Sequence, residues 1–303
     1  MPRPLAALLV LCATAAGCAS RSPAVSSAAP AAPADATPLR GLTHETLHGA
    51  LWMQTSAEYD VLARQTFAAA ERALGRALAG EGSAALEQED GGAGKPPAVV
   101  VDIDETMLDN APFQLQLDLE GTDYCEGTWT AWVTAEKARA IPGAVAFAQA
   151  ADARSVRVLY VTNRTHADED ATIRNLRAAG FPVRNGDDVL TIGEAEAPGA
   201  AAWTSDKTAR RAYLARTYRI LLLVGDDLRD FVSVPRGTAP ADRVALAQRH
   251  RDLWGERWFL LPNAMYGSWE QSLHASGLDD DALLRSKRVP GFREPLEDGC
   301  ARP

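Results

Sequence analysis

The sequence predicts an α/β fold, a doubly wound parallel sheet of about five strands with helices on both faces. Short continuous apolar runs recur along the chain, helical or loop sequence separates each run from the next, and polar residues cluster where three of the runs end. Runs of this kind are expected of strands buried on both sides, and strands alternating with helices imply parallel crossover units. In such sheets ligands bind beyond the carboxyl ends of the strands.

Taken in order, residues 1–17, MPRPLAALLVLCATAAG, place Arg3 before an apolar run from Leu5 to Ala16. Spanning a hydrocarbon core takes about 20 helical residues, so this run reads as the apolar region of a signal peptide. Ala15-Ala16-Gly17-Cys18 resembles a bacterial lipoprotein cleavage box, with Ala at the outermost position where Leu is commoner. Cys18 would then be the lipidated first residue, anchoring the protein in the bacterial cell envelope, at the outer membrane facing the periplasm or the surface; ordinary secretion is the alternative. Cys125 and Cys300 would remain in an oxidising compartment, which leaves a disulfide and two free thiols both open.

Residues 18–40 are Ala, Pro and Ser with almost no large apolar side chain, and read as a tether. In residues 41–97 an N-terminal helical element comes first, with Leu47, Leu51, Tyr59, Leu62, Phe67, Leu74 and Leu78 at helical spacings. The Gly-rich, acidic stretch from Glu81 to Pro97 follows and reads as an exposed loop. The core then runs from 98 to 303. Strands are expected at Ala98–Val101, Val156–Val161, Val189–Ile192, Ile220–Val224 and Trp258–Leu261, with helices at Ala144–Ala151, His166–Ala179 and Ser205–Tyr218.

The first run ends in Asp102-Ile103-Asp104-Glu105-Thr106, the second in Thr162-Asn163-Arg164, and the fourth in Gly225-Asp226-Asp227-Leu228-Arg229-Asp230. A parallel sheet brings these ends to one edge, where the carboxylates would repel one another unless a divalent cation sat among them. All-oxygen ligation favours Mg²⁺. The formal net charge of −9 argues against a nucleic-acid polymer as partner, because such proteins carry a basic stripe.

Asp102, Asp104 and Thr106 match the Asp-x-Asp-x-Thr signature of the haloacid dehalogenase (HAD) superfamily, and Thr162, Lys207, Asp226 and Asp230 follow in that superfamily's order. More narrowly, WMQTSAEY at 52–59, DETMLDNAPF at 104–113, TWTAWV at 128–133, VTNR at 161–164 and LPNAMYGSWE at 261–270 resemble the bacterial class C acid phosphatases, which are lipoprotein 5′-nucleotidases and broad-specificity phosphomonoesterases. The resemblance covers roughly residues 42–275. It implies a HAD-like sheet with a small cap inserted after the first strand, at about 111–140. It implies Asp102 as a nucleophile forming an aspartyl-phosphate and Asp104 as general acid and base. Mg²⁺ would be held by Asp102, Asp104, Asp226 and Asp230. Thr106, Thr162, Asn163 and Lys207 would bind the phosphoryl group, and Tyr124, Trp129 and Tyr266 would stack on the leaving group. Trp132 and Trp269 read instead as packing residues. Substrates would be small phosphomonoesters such as nucleoside 5′-monophosphates or aryl phosphates, and the resemblance leaves a homodimer open.

Two other readings compete. A dehalogenase or phosphonate hydrolase is disfavoured by Asp104, since an acid two residues after the nucleophile serves an alcohol-like leaving group. A surface lipoprotein that binds a nucleotide or haem without turnover is the alternative from a different class.

Overall fold

The computed structural model describes residues 46–273. The expected signal peptide and tether, Cys18 and Cys300, and with them the lipidation and the Cys125–Cys300 pairing, lie outside the described residues. The helical periodicity of the N-terminal element resolves into two helices rather than one, α1 (Leu47–Thr55) and α2 (Ala57–Ala79). Ser56 makes the break. It takes an extended conformation, φ −85° and ψ 139°, and its hydroxyl accepts the Tyr59 N–H at 3.1 Å. Such a cap satisfies a first-turn donor that has no intrahelical partner. Glu58 and Asp60 in the first turn and Arg76 in the last complement the α2 dipole. Ala63, Phe67, Ala70, Leu74 and Ala77, alternately four and three residues apart, form its buried stripe.

The stretch from 81 to 97 is not a freely exposed loop. Gln88 is buried; its side-chain amide donates to Ala215 O at 2.6 Å and Tyr218 O at 2.7 Å, and its carbonyl accepts the Ile220 N–H at 3.0 Å. One glutamine thereby supplies partners to a backbone segment that would otherwise be buried without them. Ala84 and Ala85, small enough to lie close to the sheet, join the apolar layer beneath.

β1 (Pro97–Val101) leads into β2 (Leu108–Asp109), then α3 (Ala111–Glu120), α4 (Glu126–Thr134) and β3 (Arg139–Ala140). β2 and β3 pair antiparallel, Leu108 with Ala140 and Asp109 with Arg139, so the segment holding α3 and α4 leaves and rejoins the core at one point. The chain continues through α5 (Ala144–Ala153), β4 (Arg157–Thr165), α6 (Glu169–Ala178), β5 (Val189–Ile192), α7 (Thr208–Thr217), β6 (Arg219–Gly225), α8 (Pro240–Arg249), β7 (Trp258–Leu260) and α9 (Ser268–Gln271).

The five long strands form one parallel sheet in the order β5-β4-β1-β6-β7. On one face Val99, Val101, Val158, Tyr160, Leu222 and Val224 pack with Phe67 of α2 and Phe147 of α5. On the other, Ala98, Val100, Leu159, Val161, Ile220 and Leu223 pack with Leu214 of α7, Phe231 and Trp258. Both faces are apolar, which is why the strands read as unbroken runs. Burying each Val, Leu or Phe contributes about 1.5–3 kcal/mol. Val101 is level with Tyr160 of β4 and with Val224 of β6, so Asp102 and the residues that follow Tyr160 and Val224 reach one edge of the sheet together, Thr162 to Arg164 still within β4.

Candidate active site

Immediately after β1 the backbone turns tightly. Ile103 O accepts the N–H groups of Met107 and Leu108, each at 2.8 Å, and Glu105 takes φ 60°. This turn sends Asp102 and Asp104 toward the same cavity, of about 430 Å³, which they line with Asn163, Arg164, Lys207, Asp226 and Asp230. Tyr124, Trp129 and Tyr266 line it too.

Asp102 and Asp230 are buried, and with Asp226 they place carboxylate oxygens within 4.8 Å of one another. Lys207 Nζ, also buried, donates to Asp102 Oδ1 and to Asp230 Oδ1, the latter at 2.6 Å. The second oxygen of Asp102, Oδ2, has no hydrogen-bond partner among the described residues. Burial pushes the Asp102 carboxyl up to about 7, against the pull of Lys207 and with the help of Asp230 and Asp104. Burial and then Asp102 and Asp230 hold Asp226 well above the ordinary carboxyl range. Burial alone would lower Lys207, but Asp102 and Asp230 outweigh it and keep the ammonium charged. Three crowded carboxylates with one lysine between them have an excess of negative charge that an oxygen-preferring divalent cation would neutralise.

Backbone geometry secures the cluster. Asp230 Oδ2 accepts the N–H groups of Asp226 at 3.1 Å and Asp227 at 2.9 Å, which curls the chain over Gly225. A Cβ at Gly225 would sit 2.2 Å from Asp230 Oδ2, so only glycine fits beneath this carboxylate. Asp226 is fixed from two sides: Thr106 Oγ1 donates to its Oδ1 at 3.2 Å and Asn263 Nδ2 to its Oδ2 at 2.8 Å.

Not every residue singled out in the sequence faces the cavity. Thr106, expected at the phosphoryl group, is fully buried, and its hydroxyl donates to Asp226. Thr162 is fully buried as well; its hydroxyl accepts the Arg164 N–H at 3.1 Å and lies 3.4 Å from Asp104 Oδ2. Asn163 does line the cavity, its Oδ1 accepting from Arg210 at 2.7 Å.

Arg164 is the residue that sequence reasoning left without a role. Its side chain is buried, and its Nη2 and Nε donate to Asp104 Oδ1 at 2.7 and 3.0 Å, with Nε 3.3 Å from Oδ2. Asn110 Nδ2 adds a bond to Asp104 Oδ1 at 2.9 Å. The only local signal was its place beside Thr162 and Asn163, because its partner is 60 residues away. The same guanidinium lies 5.5 Å from the Trp129 ring centre. Trp129 also packs edge-on to Phe113 at 5.3 Å and lies 6.3 Å from Tyr124, which is more than half exposed. Trp132 takes a packing role, its indole N–H donating to Asn110 Oδ1 at 2.8 Å. Trp269 donates to Tyr266 O at 3.2 Å. Cys125 is exposed at the start of α4 and forms no disulfide with a described residue.

Residues 13–269 match the family described as HAD superfamily, subfamily IIIB (acid phosphatase). The class C acid phosphatase from Bacillus anthracis is similar in structure, with a TM-score of 0.71 and 30% identity over 84% of this chain and 99% of that one. The same class C acid phosphatase with tungstate bound matches at a TM-score of 0.71 and 29% identity, with the same coverage. The enzyme so described is a phosphomonoesterase, and the chain belongs to the subfamily IIIB acid phosphatases of the HAD superfamily.

Proposed function

We propose that the protein hydrolyses nucleoside 5′-monophosphates and aryl phosphates in a Mg²⁺-dependent reaction through an aspartyl-phosphate at Asp102. The observation that carries this reading is the joint placement of Asp102, Asp104, Lys207, Asp226 and Asp230 around one cavity. Asp102 Oδ2, the oxygen free of Lys207, attacks phosphorus; the bond to the ester oxygen breaks, and that oxygen takes a proton from Asp104 to leave as an alcohol. Asp104 then takes a proton from the water that attacks the aspartyl-phosphate, which releases phosphate and restores Asp102. Lys207 offsets charge on the phosphoryl oxygens. Asp102, Asp226 and Asp230, with the Asp104 backbone, would hold Mg²⁺, which neutralises negative charge on phosphate and carboxylates together. Tungstate is a tetrahedral oxyanion of phosphate-like shape, and its presence in a similar acid phosphatase supports a phosphoryl site here. Tyr124, Trp129 and Tyr266 offer an aromatic surface for a nucleobase or aryl group.

The test is phosphate release by the purified protein from nucleoside 5′-monophosphates and p-nitrophenyl phosphate, with Mg²⁺ and with excess chelator. Activity is expected to fall by at least about 10³-fold in chelator and to return with Mg²⁺. Undiminished release after chelation would remove the metal from the mechanism, and no release from any ester would overturn the substrate assignment.

Stability gives an independent check on the metal. Asp102 carries 3.8 as its ordinary value and about 7 in the fold, so the protonated form is favoured by folding. That contribution is present in full below 3.8 and is lost as pH rises through about 7. A cation takes the proton's place. Mg²⁺ is therefore expected to raise Tm by a few degrees more at about pH 7.5 than at about pH 5, measured by calorimetry. An equal shift at both values would mean that Mg²⁺ binds away from this cluster.

A further inference from the structure

Arg229, Ser268 and Gln271 line the catalytic cavity on one side and a second, larger groove of about 910 Å³ on the other. The charged side chains lining that groove are Arg229, Arg236 and Arg243, with no carboxylate among the described residues that line it. Arg243 is buried, its guanidinium 3.9 Å from the Asp227 carboxylate. Burial pulls its pKa down, and Asp227 opposes that pull. Among the described residues the Arg229 side chain reaches only Gln271 Oε1, at 3.4 Å, through its Nη1, and its buried Nε has no partner among them. Arg236 is exposed and forms no ion pair with a described residue. Of these three guanidinium groups Arg229 also lines the catalytic cavity, and among the described residues only Arg243 lies within 4 Å of a carboxylate, in a chain of formal net charge −9.

We propose that this groove is a second anion subsite, which takes the second phosphate of a bisphosphorylated ester while the first lies at Asp102. The inference rests on the phosphatase reading above and extends it to a substrate class. Guanidinium forks match phosphate oxygens in pairs, and the donors here are under-used in the absence of an anion. The aromatic surface formed by Tyr124 and Trp129 belongs to other elements, α4 and the turn before it, so the groove adds a contact that an aryl phosphate or a nucleoside monophosphate does not make.

The experiment compares a nucleoside 5′-monophosphate with the matching 3′,5′-bisphosphate, following loss of the 5′-phosphate by chromatography. The bisphosphate is expected to show a kcat/KM about tenfold higher, the scale of one or two charge-assisted hydrogen bonds. Arg236→Ala, which removes no described contact, is expected to bring the bisphosphate down to near the monophosphate value and to leave the monophosphate unchanged. Equal efficiency in the unaltered enzyme, or an equal loss for both substrates in the variant, would overturn the subsite. If neither ester is turned over, the phosphatase reading fails, and titration calorimetry with the same two compounds decides the groove alone. Tighter binding of the bisphosphate that depends on Arg236 supports it, and equal binding overturns it.

Discussion

Asp102→Asn is expected to cut phosphate release by at least about 10⁴-fold for every ester, the scale on which loss of a covalent nucleophile acts. Amide and carboxylate are nearly the same size, so the side chain keeps its place, but its oxygen no longer carries the charge that attacks phosphorus. The fold should tolerate the change. Asp102 is crowded against Asp226 and Asp230, and burial already holds its carboxyl up to about 7, so removing one charge relieves repulsion. Lys207 retains Asp230 at 2.6 Å. Tm of the metal-free variant is therefore expected to equal or exceed that of the unaltered protein. Activity within tenfold of normal would show that another group attacks, and a collapse of Tm would show that the carboxylate is structural.

The second large effect falls on Arg164 and divides by leaving group. The Nε and Nη2 of its guanidinium hold Asp104, the proposed acid, and the Asn110 amide donates to it as well. An alkoxide such as a nucleoside 5′-oxygen needs a proton in order to leave, whereas p-nitrophenolate does not. Arg164→Met should lower kcat on nucleoside 5′-monophosphates by about 10²–10³-fold, within the roughly 10²–10⁴-fold that general acid catalysis contributes, and kcat on p-nitrophenyl phosphate by only about threefold. Arg164→Lys, which keeps the charge but loses the fork, should lie between. A loss of equal size on both substrates would mean that Arg164 only supports the core.

The central features of this site were legible because they are local. Strands β1, β4 and β6 announce themselves as apolar runs since both of their faces are covered, and the residues that end those runs are the ones the parallel register brings level. That Asp102, Asp104, Asp226 and Asp230 come to one sheet edge follows from that register, and the turns after β1 and β6 aim them. What was not legible depends on contacts distant in sequence. Thr106 and Thr162 carry hydroxyls at the right strand ends, yet nothing local tells whether a hydroxyl faces the cavity or the layer behind it, and both are fully buried. Gln88 looks like one more polar residue in a glycine-rich stretch; its three hydrogen bonds are to a segment more than 120 residues on. Ser56 lies inside a helical periodicity that does not lapse, and only its backbone angles show that it ends one helix and begins another.

Asn110 bonds to Trp132 of α4 through its oxygen and to Asp104 through its nitrogen, so one amide joins the inserted helices to the proposed proton donor. An exchange of this insertion for that of a relative, made by recombination or in the laboratory, would carry along the orientation of Asp104 as well as the surface that meets the leaving group. Under the proposed mechanism, selectivity and turnover are therefore inherited as one trait, and a graft intended to alter the first will reset the second unless Asn110 and its indole partner travel with it.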